Sequence, residues 1–108
     1  QSLNNWNTSN VINIQYMFNE CLNFNQPLNN WNTSNIFDMT SLFNQCIHFN
    51  QPLNNWDTSN VVNIGSMFKN ARNFNQLLNN WDISNVNNLY GSWSFKIINL
   101  TKIGMNHK

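Results

Sequence analysis

Apolar side chains recur along this chain at two spacings, which alternate within a unit of 25 residues. In the second half of a unit the apolar positions are separated by three, three, one and three residues, which places them on one stripe of a helix. Ser9, Ser34 and Ser59 precede three such stripes and are suitable N-caps, so we predict a helical turn starting near each of them. In the second unit the stripe consists of Ile36, Met39, Leu42, Phe43 and Cys46.

The first half of each unit is predicted to be extended. Trp31 and Thr33 are two residues apart and share one side of such a segment, whereas Asn30 and Asn32 share the other side. Pro27 cannot continue a helix, and we expect Phe24 just before it to plug the core. Short strands are therefore predicted at Trp6, Trp31, Trp56 and Trp81, and the first three of them are followed by a short helix.

Four copies of this unit follow one another. The first two copies, which start at Leu3 and Leu28, are identical at 15 of 25 positions. A unit of this size with one apolar stripe cannot close a core alone, so neighbouring units must stack with like residues over like. The predicted fold is an α/β solenoid of leucine-rich-repeat type, with short parallel strands on one side and short helices on the other.

We predict one domain over residues 1–92, with coils starting near residues 3, 28, 53 and 78. Gln1-Ser2-Leu3 matches Gln26-Pro27-Leu28, so we expect the solenoid to continue upstream of residue 1. Residues 93–108 follow no repeat phase, and they are expected to be a degenerate C-terminal cap or a tail.

Composition adds a structural role for asparagine, which makes up 28 of 108 residues. An amide carries donors and acceptors, so amides at equivalent positions can bond each other or nearby backbone without any charge. Charged residues are only 8% and the net charge is +1, which disfavours nucleic acid as a partner, and no apolar run is long enough for direct membrane insertion. The predicted ladders are Asn4/Asn29/Asn54/Asn79, Asn10/Asn35/Asn60/Asn85 and Asn25/Asn50/Asn75.

Candidate chemistry is sparse. Cys21 and Cys46 occupy one slot that is Ala71 in the third unit, so we expect buried free thiols in preference to a disulfide. His48 has no partner at metal-ligand or triad spacing and is expected at the surface. The acidic residues also lack a histidine partner, so we expect no enzyme activity, no cofactor and no metal site. These residues are Glu20, Asp38, Asp57 and Asp82.

The motifs L-N-N-W-N-T-S-N-V, L-N-N-W-N-T-S-N-I and L-N-N-W-D-T-S-N-V begin at Leu3, Leu28 and Leu53. With M-F or L-F and then F-N-Q downstream, they resemble the roughly 25-residue repeat of mycoplasma-type surface lipoproteins. That repeat is related to the BspA-like leucine-rich repeats and is also found in giant DNA viruses of amoebae. The resemblance covers roughly residues 1–93 and implies a surface or secreted protein that acts in adhesion or recognition.

Two functions are compatible with this pattern. In the first, a non-catalytic surface protein binds a protein or glycan on another surface through the concave strand face of the solenoid. In the second, the array is a structural building block of a giant-virus particle or surface layer, and its partners are copies of itself. The cell surface or the extracellular space is the expected location, with the virion as the alternative. The predicted binding strip comprises Asn5, Asn7, Asn30, Asn32, Asn55, Asp57, Asn80 and Asp82.

Overall fold

Regular secondary structure is almost absent from the part of this chain that the structure describes. The structure, a computed structural model, describes residues 2–91. Within that range it contains one 3-10 helix, Leu3–Asn5, and isolated parallel bridges but no sheet. The prediction of an α/β solenoid of leucine-rich-repeat type, with strands on one side and helices on the other, is therefore wrong. The bridges pair Asn13 with Asp38, Asp38 with Asn63, and Asn63 with Asn88.

The segments predicted to be helices form consecutive turns instead. Met17 N donates to Ile14 O at 3.2 Å and closes a turn, whereas Phe18 N donates to Leu42 O of the next repeat at 3.1 Å. Backbone N–H groups alternate in this way along the segment, so half of them bond outside their own repeat. An α-helix needs every N–H for its own i→i−4 bonds and cannot form under those conditions. The apolar spacing of three residues could not reveal this, because the turns also close over three residues.

Left-handed backbone accompanies these turns. Tyr16 has φ of 62° and Glu20 has φ of 61°, each at the third residue of a turn, as a type II turn requires. A non-glycine residue costs about 1–2 kcal/mol in this conformation, which the bonds to the next repeat offset. The same two slots have positive φ in later repeats, at Ser41, Gln45, Ser66, Asn70 and Gly91.

The segments around the Trp residues confirm the predicted sidedness but not the predicted strands. Trp31 and Thr33 are buried, whereas Asn30 and Asn32 are exposed. Side chains, not a backbone ladder, join these segments: Trp31 Nε1 donates to Leu3 O of the preceding repeat at 2.7 Å. The alternation of buried and exposed residues in these segments therefore reflects the burial of one side and does not require strand pairing.

Stacked aromatic rings form the centre of the core. Rings in equivalent slots lie parallel, as between Trp31 and Trp56, whose centroids are 6.2 Å apart at an interplanar angle of 4°. Phe43 and Phe49 stack within one repeat at 4.1 Å, and both are fully buried. The expectation that the Phe before the proline plugs the core is confirmed at Phe49, whereas Phe24 is only partly buried and packs against the edge of the core.

The predicted amide ladders are confirmed except at Asn10 and Asn79, whose side chains make no hydrogen bond within residues 2–91, and most of the bonds reach backbone in the neighbouring repeat. Asn35 Nδ2 donates to Ser9 O at 2.9 Å, and Asn25 Oδ1 accepts from Asn50 N at 2.9 Å. A direct bond between amides also occurs, from Asn29 Nδ2 to Asn54 Oδ1 at 3.4 Å. Asparagine therefore supplies inter-repeat bonds that strand pairing would otherwise provide.

Both cysteines are free, as predicted, but only one of them is buried. Burial raises the pKa of Cys46 to about 11, and its Sγ donates to Phe18 O at 2.8 Å. Cys21 is exposed, so the prediction of burial is wrong there. His48 is exposed, as expected. The cap or tail predicted at residues 93–108 lies outside the described residues.

Candidate binding surface

The eight residues of the predicted binding strip are all exposed. They lie beside the buried Trp and Thr positions, two per repeat, and the equivalent positions of successive repeats adjoin because the repeats stack in register. They do not form a strand face, since no strand runs through these positions. We call this set the amide strip: Asn5, Asn7, Asn30, Asn32, Asn55, Asp57, Asn80 and Asp82.

One position per repeat in the amide strip is anchored by a local turn. Asn32 Oδ1 accepts from Ser34 N at 3.1 Å and from Ser34 Oγ at 2.7 Å. Asn and Asp are favoured here because their short side chains bond backbone two residues ahead. The same pair of bonds forms at Asn7 with Ser9, at Asp57 with Ser59 and at Asp82 with Ser84.

In the two middle repeats the other position is held by its backbone, whereas in the fourth repeat it is the side-chain Nδ2 of Asn80 that donates, to Asn54 O at 3.5 Å. Asn30 N donates to Asn4 Oδ1 at 2.8 Å, and Asn55 N donates to Asn29 Oδ1 at 3.0 Å. The side-chain amides of Asn30 and Asn55 make no hydrogen bond within residues 2–91, and each carries two N–H donors and one carbonyl acceptor. The amide strip therefore presents fixed backbone with side-chain amides available to a ligand.

The charge of the amide strip is confined to two neighbouring aspartates. The hydroxyl and the backbone N–H of Ser59 both donate to Asp57 and lower the pKa of its carboxyl, against smaller opposing effects of burial and of Asp82. The lowered pKa keeps Asp57 anionic at neutral pH, Asp82 is the second carboxylate of the strip, and the other six positions are neutral amides. Hydrogen bonding is the main interaction that this surface can offer.

A metal centre is not formed by these carboxylates. The described part of the chain contains no group of three or more His, Cys, Asp or Glu residues placed to hold a metal ion. Two carboxylates alone are a weak set for a hard cation such as Ca²⁺, which takes six to eight oxygen ligands.

In residues 2–91, no helix is long and apolar enough to cross a membrane.

Sequence reasoning missed one surface, on the first repeat. Trp6, Tyr16 and Met17 are exposed, although Trp and Met slots are buried in later repeats. The signal was present in the sequence, because the repeat phase shows which slots a preceding coil covers. These residues form a second exposed region, apolar where the amide strip is polar.

Fold and surface together define a tandem-repeat protein, whose 25-residue units stack through equivalent positions. The chain belongs to the DUF285 family, described as Mycoplasma protein of unknown function, and the family model matches residues 1–99. This confirms the mycoplasma-type repeat predicted from the L-N-N-W motifs, while the BspA-like and giant-virus relations lie outside what the match shows. No curated protein and no solved structure gives a match.

Proposed function

We propose that this protein is a non-catalytic surface protein whose amide strip binds a protein or glycan on another surface. The observation that carries the proposal is the repeated pair of exposed amide-type side chains on immobilised backbone. A fixed array loses little conformational entropy on binding, and several equivalent contacts can act together. The DUF285 family is consistent with a surface protein, which supports this location.

The chemistry of the amide strip specifies the kind of contact. Asn30 and Asn55 offer free donors and acceptors, so peptide groups and sugar hydroxyls are suitable partners. Ion pairs contribute little, because only Asp57 and Asp82 are charged. We therefore expect binding to change little between about 50 and about 200 mM salt, whereas a phosphate-tracking interface loses about 10³–10⁵ in affinity over that range.

The test compares two double variants in binding to a printed glycan array and to cultured cells. Asn30→Ala with Asn55→Ala removes two free amides of the amide strip. Asn23→Ala with Asn73→Ala is the matched control, because both residues are exposed and lie in one slot outside the strip. Loss of binding in the first variant alone supports the proposal.

Two outcomes would contradict it. Equal binding by both variants, or a steep salt dependence, removes the amide strip as the site. A protein that binds no external ligand but occurs at high copy number in a surface layer or a virus particle supports the building-block function. The building-block function would also fit the resemblance of the L-N-N-W repeat to repeats of giant DNA viruses.

A further inference from the structure

The first repeat has an apolar surface whose equivalent positions are covered in the later repeats wherever the structure describes them. Trp6 is 51% exposed, whereas Trp31, Trp56 and Trp81 in the same slot are 3%, 2% and 5% exposed. Met17 is 44% exposed. Its counterparts Leu42 and Met67 are fully buried. We call this surface the open face and define it by Trp6, Val11, Met17 and Cys21.

The open face also lacks a specific hydrogen bond. Trp31 Nε1 donates to Leu3 O, Trp56 Nε1 to Leu28 O and Trp81 Nε1 to Leu53 O, at 2.7, 2.9 and 2.9 Å. Trp6 Nε1 has no such acceptor among residues 2–91. A buried indole N–H normally has a partner, so the slot is complete only when a leucine carbonyl lies next to it.

A second missing bond involves threonine. The hydroxyls of Thr8, Thr33 and Thr58 donate to the carbonyl oxygens of Asn32, Asp57 and Asp82 in the following repeat, at 3.0 to 3.1 Å. Asn7 is the equivalent of these acceptors in the first repeat, and no described threonine reaches it. The occupant of the open face should therefore carry a threonine hydroxyl at this point.

A second copy of this chain is a poor occupant. The fourth repeat has Ile83 in the threonine slot, so it has no hydroxyl to donate to Asn7 O. Stacking one copy on another would therefore leave Asn7 O without its threonine donor.

We propose that the open face docks one further coil of the DUF285 repeat, in register, with threonine in the slot of Thr8. The leucine carbonyl of that coil accepts from Trp6 Nε1, and its threonine donates to Asn7 O. Its apolar stripe covers Val11, Met17 and Cys21 as interior repeats cover one another. This inference is independent of the proposed role of the amide strip.

The experiment adds such a coil and measures the reactivity of Cys21. A copy of residues 53–75 placed directly before Gln1 restores the 25-residue spacing, carries threonine, and contains no cysteine. In the unextended chain, we expect Ellman's reagent to react rapidly with exposed Cys21 and slowly with buried Cys46. In the extended chain the Cys21 reaction should slow by at least about 100-fold, because it then requires local opening.

Two matched controls separate docking from simple extension. A scrambled 23-residue extension of identical composition should leave Cys21 fast. A copy in which the threonine is replaced by valine should protect Cys21 less than the threonine copy does. The indole emission assigned by Trp6→Phe difference spectra should also move to shorter wavelength only with the ordered coil.

Two results would overturn the proposal. If the threonine-bearing extension leaves Cys21 as reactive as the scrambled one, the open face does not accept a coil, whether or not the extension is ordered. If the unextended protein self-associates in sedimentation experiments and Cys21 becomes protected in the oligomer, a second copy is the occupant.

Discussion

Thr33 links two repeats through both of its hydrogen-bonding functions, and its replacement by valine tests how this fold is held together. Its Oγ1 donates to Asp57 O at 3.1 Å and accepts from Asp57 N at 2.9 Å. The side chain is almost fully buried. Valine matches the shape of threonine but can make neither bond.

The expected cost follows from these two bonds. A net contribution of about 0.5–1.5 kcal/mol per bond gives a loss of about 1–3 kcal/mol for Thr33→Val. Thr8 donates to Asn32 O but accepts no backbone N–H in residues 2–91, so Thr8→Val should cost about half as much. Thr33→Ser keeps the hydroxyl and removes one methyl group, a loss of about 1 kcal/mol.

Urea unfolding followed by tryptophan fluorescence measures these differences. With an m-value of about 2 kcal/mol/M, Thr33→Val should lower the midpoint by about 1 M. The order of cost should be Thr33→Val first, then Thr8→Val and Thr33→Ser at similar values. If Thr33→Ser costs as much as Thr33→Val, packing of the methyl group and not the two hydrogen bonds holds the repeats together.

Three further measurements test other parts of the structure. Phe49→Ala should lower the free energy of unfolding by about 3–5 kcal/mol because the ring is fully buried, and exposed Asn32→Ala by less than half of that; the reverse order of denaturation midpoints would contradict the core assignment. Gln45 has φ of 62°, so Gln45→Gly should raise the urea midpoint slightly and Gln45→Val should lower it. Ser59 lowers the pKa of Asp57 in the folded state. The ionised carboxylate therefore stabilises the fold at pH values above its unfolded pKa, and this stabilisation is lost as the pH falls through the folded pKa. Asp57→Asn should flatten this part of the acid unfolding curve.

The sequence was sufficient to predict which side of the Trp segments is buried, but neither the exposure of Cys21 nor how the backbone is paired. Trp31 and Thr33 are buried as predicted because alternation reports sidedness directly. Apolar spacing of three residues fits a helix and a chain of turns equally well, and only the destination of the backbone N–H groups distinguishes them. Those bonds reach residues about 24 positions away, as from Phe18 N to Leu42 O, and no local propensity encodes them. The positive φ angles of Tyr16 and Glu20 could not be predicted from the sequence either, because neither residue type favours this conformation.

The amide strip could be predicted because exposure follows from alternation. The sequence could not predict which asparagine side chains bond to the neighbouring repeat and which remain unbonded. Asn60 and Asn55 belong to the same repeat and are both exposed. Asn60 Nδ2 donates to Ser34 O of the preceding repeat at 2.7 Å, whereas the side chain of Asn55 makes no hydrogen bond within the described residues. Both residues are exposed asparagines of one repeat, so the sequence does not distinguish them. Only the side-chain hydrogen bonds in the structure do.

This pair provides the sharpest test of which asparagines the fold needs. Asn60→Ala should lower the free energy of unfolding by about 1 kcal/mol, the usual net value of one hydrogen bond, and Asn55→Ala should leave it within about 0.5 kcal/mol of the parent. Urea midpoints of the two variants, measured with the same m-value, give the comparison. Equal losses would mean that the Asn55 amide is also engaged in holding the repeats together. If only Asn60→Ala is destabilising, the side chain of Asn55 contributes nothing to the stability of the fold, and its amide is available to bind a ligand without loss of stability.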